Sequence, residues 1–270
     1  MKIWHQCTSD LSTAVTFQEN MRRHIEKVVD PEDSVTVHGM PKGFFGSGSA
    51  VKAMEAPYLE FLCEIFFCEA ALTAEREGYD AMTIGCYMDT GLQLARSLVD
   101  IPVLSVTETS VMAASSLGKS YGVVTVEPYM AETFTEKAGL YGNPNKLAAV
   151  VATQPPISVV EMERPELAAA AEEKFLAYCR KAIDAGADVL IPGEGMLNEF
   201  AYSRGLTCCD GVPILDGYAV LWRYAKLMHK LKLTSGLGVS RKSYRKADPT
   251  QLKEMRSFHQ LRDLTEADFS

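Results

Sequence analysis

At 270 residues, with 47% apolar content and a formal net charge of −8, the chain has enough apolar surface for two compact lobes, and its acidity argues against a nucleic-acid or anionic-membrane surface. No apolar run approaches the roughly 20 residues of a membrane span, and MKIWHQCTSD turns polar too soon for a signal peptide, so a cytoplasmic protein is expected. The seven cysteines are odd in number, scattered and without paired CxxC spacing near histidines, which points to free thiols rather than a disulfide framework or a zinc site.

Val- and Ile-rich segments alternate with stretches of helical spacing, the order of successive βα units in a parallel sheet. A strand at KIWH leads to a helix over Leu11 to Val29, where Leu11, Val15, Met21, Ile25 and Val28 form one apolar stripe. The strand DSVTVHG follows, then the turn-rich loop GFFGSGSA at 43 to 50 and a helix over Pro57 to Glu77. Strands at YDAMTIG and IPVLSV precede a helix over Glu108 to Leu117, the strand YGVVTV and a second turn-rich loop, LYGNPNK, at 140 to 146. The strand KLAAVVA, a helix over Pro165 to Ala185, strands at ADVLIPG and VPILDG, and a helix over Tyr218 to Leu231 complete the pattern. The tail after Thr234, with Arg241, Lys242, Arg245, Lys246 and Lys253, reads as a solvated or partly helical extension, with an oligomer arm as the alternative.

One segment repeats. DAMTIGCYM (80 to 88) laid over DVLIPGEGM (188 to 196) pairs Asp80 with Asp188, Gly85 with Gly193, Cys86 with Glu194 and Met88 with Met196, and IPVLSV then falls on VPILDG. Two such units predict two similar α/β lobes, 1–115 plus 218–270 and 116–217, with Cys86 and Glu194 at equivalent strand-to-helix corners. The carboxyl ends of strands are where α/β proteins place ligands. A free thiol titrates near ~8.5, and a helix N-terminus directly after Cys86 is expected to lower that by about one unit.

Cys86 and Glu194 on opposite sides of a planar carbanion would remove a proton from one face of a carbon beside a carbonyl and return one to the other. The pair must then hold one proton between them, because two anions would repel and two acids could not abstract. The plain alternatives are an inert buried thiol at Cys86 and a helix-capping role for Glu194. Cys63 and Cys68 read as core, Cys179 as helical, Cys208 and Cys209 as a loop before a strand, and His5 as a structural histidine. GEGMLN lacks the third glycine of a dinucleotide fingerprint, and FFGSGSA has no following Lys-Ser/Thr for a phosphate loop.

DAMTIGCYMDTGLQLARSLVDIPVLSVTETSVMAA, with its strand, Cys, Asp-x-Gly and Ile-Pro-Val pattern, resembles the hydantoin racemase branch of the aspartate/glutamate/hydantoin racemase superfamily, as do KIWHQCTS, YGVVTVEPY and GADVLIPGEGM…GVPILDG. The resemblance implies an α/β fold of two pseudo-symmetric Rossmann-like lobes with parallel sheets and an active site in the cleft between them. It implies a racemase, epimerase or isomerase that needs no cofactor or metal and acts on a small carboxylate or hydantoin-like compound. It also implies Cys86 and Glu194 as acid/base groups, with Thr8, Ser9, Tyr87, Met88, Thr125, Gly193 and Gly195 around the substrate, and homo-oligomers as are common among members. The chain departs from two-cysteine racemases at Glu194, and an alignment shifted by one puts Gly193 there and leaves Cys86 alone. Cis–trans isomerisation or decarboxylation through a single thiol therefore stays open, as does a non-catalytic small-molecule sensor.

Overall fold

The computed structural model describes residues 1–142 and 144–269. The first half runs β1 (Lys2–Gln6), α1 (Val15–Val28), β2 (Ser34–His38), α2 (Ala50–Met54), α3 (Pro57–Arg76), β3 (Ala81–Ile84), α4 (Leu92–Leu98), β4 (Val103–Ser105) and α5 (Val106–Leu117). The second runs β5 (Tyr121–Thr125), α6 (Pro128–Tyr141), β6 (Leu147–Ala152), α7 (Val159–Glu163), α8 (Pro165–Asp184), β7 (Leu190–Pro192), α9 (Gly195–Ser203), β8 (Cys208–Cys209) and β9 (Val212–Pro213). Two helices close the chain, α10 (Gly217–Ser235) and α11 (Pro249–Phe258).

The strands form two parallel sheets, ordered β2-β1-β3-β4 and β6-β5-β7. The central strands β1, β3, β5 and β7 are buried, as parallel strands covered on both faces must be, and they carry the near-continuous apolar runs seen in the sequence. A parallel bridge from Leu190 to Ile214 adds a stub beside β7 where β4 lies beside β3, so the two sheets repeat one topology. Helix α10 packs on α5, β3 and β4 of the first sheet and touches α9 of the second half.

Three expectations change. VPILDG supplies only β9, paired antiparallel with β8, and the single bridge at Ile214; Pro213 has no N–H for a longer ladder, and Cys208 and Cys209 form a strand rather than a loop. The first helix is broken: Leu11–Thr13 is one 3₁₀ turn, and Ala14 (φ −120°, ψ 61°) leaves helical geometry before α1 begins. Helix α6 continues to Tyr141 into the expected LYGNPNK loop, of which Asn143 lies outside the described residues. The tail is partly helical and largely exposed, as expected, but its end is anchored rather than free. Phe269 is fully buried, 5.0 Å from the Trp4 ring and 4.6 Å from Phe66, its carbonyl accepts from Gly39 N (3.0 Å), and Arg256 pairs with Glu69 (2.6 Å). Among the described residues no helix is long and apolar enough to cross a membrane.

Candidate active site

The two corners meet at Gly85 and Gly195. A Cβ built on Gly195 would stand 3.2 Å from the Gly85 carbonyl and 2.5 Å from Tyr218 Oη, so only glycine lets α9 begin this close to the end of β3. Tyr218 Oη donates to the same Gly85 carbonyl (3.1 Å), tying the start of α10 to that corner. In each corner the residue beside that contact, Cys86 or Glu194, is half-buried, while Gly85, Tyr87 and Gly193 are buried.

The corners differ in how they present their side chains. Glu194 is the N-cap of α9, with extended backbone and Oε2 accepting from Leu197 N (2.7 Å), which is the geometry of a short acidic cap. Cys86 is not followed at once by a helix: a turn over residues 87–91 separates it from α4 at Leu92, so the expected helix N-terminus is absent there. Hydroxyls take its place, with Thr90 Oγ1 donating to Cys86 Sγ (3.4 Å) and Thr8 also favouring the thiolate.

Both corners line one cavity of about 310 Å³. Thr8, Ser9, Cys86, Tyr87, Met88, Gly193, Glu194 and Gly195 all border it. Thr125 does not: it is fully buried, and its hydroxyl donates to Gly193 O (2.9 Å), so it fixes the second corner from behind instead of facing the space. The phenol of Tyr87 donates to Asn198 Oδ1 (3.3 Å). Most of the remaining wall is apolar, including Phe17, Phe45, Met54, Met130 and Val159, with Asp10, Thr13 and Ser49 as its polar members. Of these wall residues only those of loop 43–50 stand out in the sequence, as a turn-rich stretch; Phe17 lies outside the apolar stripe of the first helix, and the sequence pattern marks no helix at Val159. Among the described residues no Lys, Arg or His lines the cavity.

A family model described as Asp/Glu/Hydantoin racemase matches residues 10–225, more than half the chain. The chain belongs to the Asp/Glu/hydantoin racemase family. It is 32% identical over 188 residues to the hydantoin racemase of Pseudomonas sp. (strain NS671), covering 68% of this chain and 73% of that protein. It is 26% identical over 202 residues to the hydantoin racemase of Paenarthrobacter aurescens, covering 74% and 84%. Among solved structures, allantoin racemase from Klebsiella pneumoniae superposes with a TM-score of 0.75 over 92% of this chain and 94% of that one, at 20% identity, which shows the two-lobed fold.

In this racemase-family chain burial sets the protonation of both corner groups. It pushes the Cys86 thiol above its ordinary value; Thr8, Thr90 and the Met88 amide pull the other way, and Asp89 adds to the rise. The expected lowering is thus reversed, because the helix dipole it relied on is missing and the thiol is enclosed. Burial likewise raises Glu194, against the pull of the Leu197, Met196 and Gly195 amides. Those first-turn amides are already engaged by the carboxylate and do not stand free for a substrate oxygen. The buried Thr8 Oγ1 lies beside the Cys86 thiol, makes no hydrogen bond of good geometry within the protein, and is one donor within the cavity wall.

His5 stays out of the cavity. Its Nδ1 meets Thr83 Oγ1 (3.0 Å) and Trp222 Nε1 (3.1 Å), and burial, with His38 and His24 nearby, lowers it to about 3, so it is a neutral structural imidazole. Among the described residues one acidic group, Asp30, Glu32 and Asp33, lies close enough together to hold a cation. Lys226 Nζ already sits there, 2.5, 2.9 and 2.6 Å from the three carboxylates.

Proposed function

We propose that the protein racemises or epimerises a small, neutral carbonyl compound at the carbon beside its carbonyl, with Cys86 and Glu194 as the acid/base pair. The observation that carries this reading is the convergence of a thiol and a carboxylate, one from each sheet, on a single cavity at the Gly85–Gly195 contact. Both groups are raised by burial, and the thiol starts from a far higher ordinary value than the carboxylate, so the shared proton rests on Cys86 and Glu194 is the resting base. Thr8 supports the developing enolate oxygen as hydrogen-bond donor.

The charge of the cavity selects among family substrates. Two acids and no cation among its lining residues disfavour an amino acid or dicarboxylate, whose carboxylate would be desolvated without a partner. A hydantoin- or allantoin-like ring, neutral and bearing an apolar substituent towards Phe17, Phe45 and Met54, suits the space better. The names of the hydantoin and allantoin racemases to which the chain is similar agree with that preference.

Proton NMR in D2O tests the reading on a panel of 5-substituted hydantoins, allantoin, amino acids, maleate and arylmalonates. Deuterium entry at the acidic carbon of a neutral ring, with loss of optical activity abolished by both Cys86→Ser and Glu194→Gln, is the expected result. A second reading rests on the bond from Leu197 N to Glu194, which occupies the carboxylate as a cap: isomerised alkene or released CO2 that needs Cys86 but survives Glu194→Gln would establish a single-thiol enzyme instead. Tight ligand binding without turnover across the panel would favour a sensor.

A further inference from the structure

The Asp-x-Gly step after Cys86 has no part in the proton transfer above, yet Asp89 has an unusual setting. It is 5% exposed, and its backbone takes φ +54°, a left-handed value that among non-glycine residues Asp and Asn adopt most readily. The turn it shapes leaves no backbone carbonyl from 86 to 89 unpaired. Cys86 O accepts from Asp89 N (3.0 Å), Tyr87 O from Thr107 Oγ1 (2.7 Å), Met88 O from Lys137 Nζ (2.5 Å) and Asp89 O from Leu92 N (3.0 Å). The Asp89 carboxylate accepts from Tyr141 Oη (2.7 Å) and lies 3.9 Å from Lys137 Nζ. Lys137 and Tyr141 belong to α6, which follows the first strand of the second sheet, whereas Cys86 ends the third strand of the first.

We propose that Asp89 is a positioning residue: clamped by Tyr141 and Lys137 of α6, it holds the turn that aims Cys86 into the cavity and transmits the placement of the second lobe to the thiol. The proposal rests on the reading of Cys86 as an acid/base group only for its functional meaning, since the clamp itself is geometry. The groups facing Asp89 are Lys137 and Tyr141 from α6 and Ser105 and Thr107 from the start of α5. Those facing Cys86 are Cys7 and Thr8 after β1, Cys63 of α3, Tyr129 of α6, and Thr90, Asp89 and the Met88 amide from its own turn.

Two variants separate charge from tether. Asp89→Asn keeps a side chain that tolerates left-handed backbone and removes the charge. Tyr141→Phe keeps the charge and removes the hydrogen bond from α6 to the Asp89 carboxylate, leaving Lys137 in place. The Cys86 midpoint is read from the pH dependence of iodoacetamide labelling, with the labelled cysteine identified by peptide mapping, and turn stability from hydrogen exchange over residues 86–92. Asp89→Asn should lower the midpoint by about half a pH unit, a roughly threefold gain in labelling rate at neutral pH. Tyr141→Phe should speed exchange in the turn about fivefold to tenfold. An unmoved midpoint in the first variant or unmoved exchange in the second overturns the proposal. Neither readout needs turnover, so a protein inert towards every panel compound would sink the racemase reading and leave the clamp standing.

Discussion

Gly195→Ala probes the lobe contact that brings the two corners together. The added methyl would stand 2.5 Å from Tyr218 Oη, about 0.9 Å inside an ordinary contact of ~3.4 Å, and 3.2 Å from Gly85 O. Tyr218 has little room to yield: it is 1% exposed, lies edge-on to His5 at 5.0 Å and stacks on Trp222 at 5.8 Å. Overpacking of this kind costs about 1–3 kcal/mol, and for a chain of this size each kcal/mol lowers Tm by about 2–4 °C. Tyr218→Phe alone should cost about 1 kcal/mol through the lost bond to Gly85 O. In Tyr218→Phe the nearest remaining ring atom is Cζ at 3.7 Å, so adding Gly195→Ala should cost much less than in the parent. A double-mutant cycle by chemical denaturation should therefore show coupling of at least about 1 kcal/mol. Additive effects, or a neutral Gly195→Ala, would refute the claim that this contact sets the spacing of Cys86 and Glu194.

Other expectations test the frame around the site. Helix α1 has no side-chain cap of its own, and Glu163 from α7 accepts from both Thr16 N and Phe17 N at 2.9 Å; Glu163→Ala should cost about 1–2 kcal/mol in thermal unfolding and speed exchange of those two amides. His24 is fully buried between Asp216 (2.8 Å) and Glu199 (2.9 Å); burial alone would lower it, but the two carboxylates raise it to about 9. Its folded value exceeds the unfolded one, so its stabilisation is fully present below about pH 6.5 and lost as pH rises through about 9, and His24→Gln should flatten the stability decline across that window. Phe269→Ala should cost about 3–5 kcal/mol by denaturant midpoint, since the ring is fully buried against Trp4 and Phe66; a loss below 1 kcal/mol would show that the tail only rests on the surface.

The strands of both sheets were legible because parallel strands covered on both faces read as unbroken apolar runs, and the repeat of DAMTIGCYM in DVLIPGEGM carried Cys86 and Glu194 to matching corners. What escaped depends on contacts far apart in sequence. Thr125 turns to Gly193 O, 68 residues on, so its hydroxyl is spent on the backbone and not in the cavity. Phe269 sits in one 3₁₀ turn with no periodicity to show a buried face, and its packing is decided by Trp4 and Phe66. The turn after Cys86 is stabilised by Thr107, Lys137 and Tyr141, none of which is local, so sequence spacing alone suggested an immediate helix.

The unlike pair Cys86 and Glu194 leads to one further test, because the equilibrium constant of a racemisation is one whatever the catalyst. The ratio of kcat/KM for two enantiomers is then fixed at unity in the parent and in every variant, and the asymmetry of the pair cannot appear there. It appears in exchange without inversion. Glu194→Gln keeps Cys86 able to abstract from the enantiomer whose C–H faces the first sheet and to return a solvent deuteron to the same face. Cys86→Ser keeps Glu194 able to do so for the opposite enantiomer. Each variant should lose inversion of both enantiomers by at least about 100-fold, the scale of one general acid/base group, while retaining deuterium uptake with retention for one of them. NMR of the separated enantiomers in D2O measures both rates. Uptake into the same enantiomer by both variants would place the two groups on one face of the substrate and exclude them as a two-base pair. The raised Cys86 thiol makes the Glu194→Gln arm the more demanding one: uptake there requires the thiol to give up its proton before it can abstract, whereas in Cys86→Ser the resting base Glu194 is still in place, with Oε1 left to take the proton while Leu197 N holds Oε2.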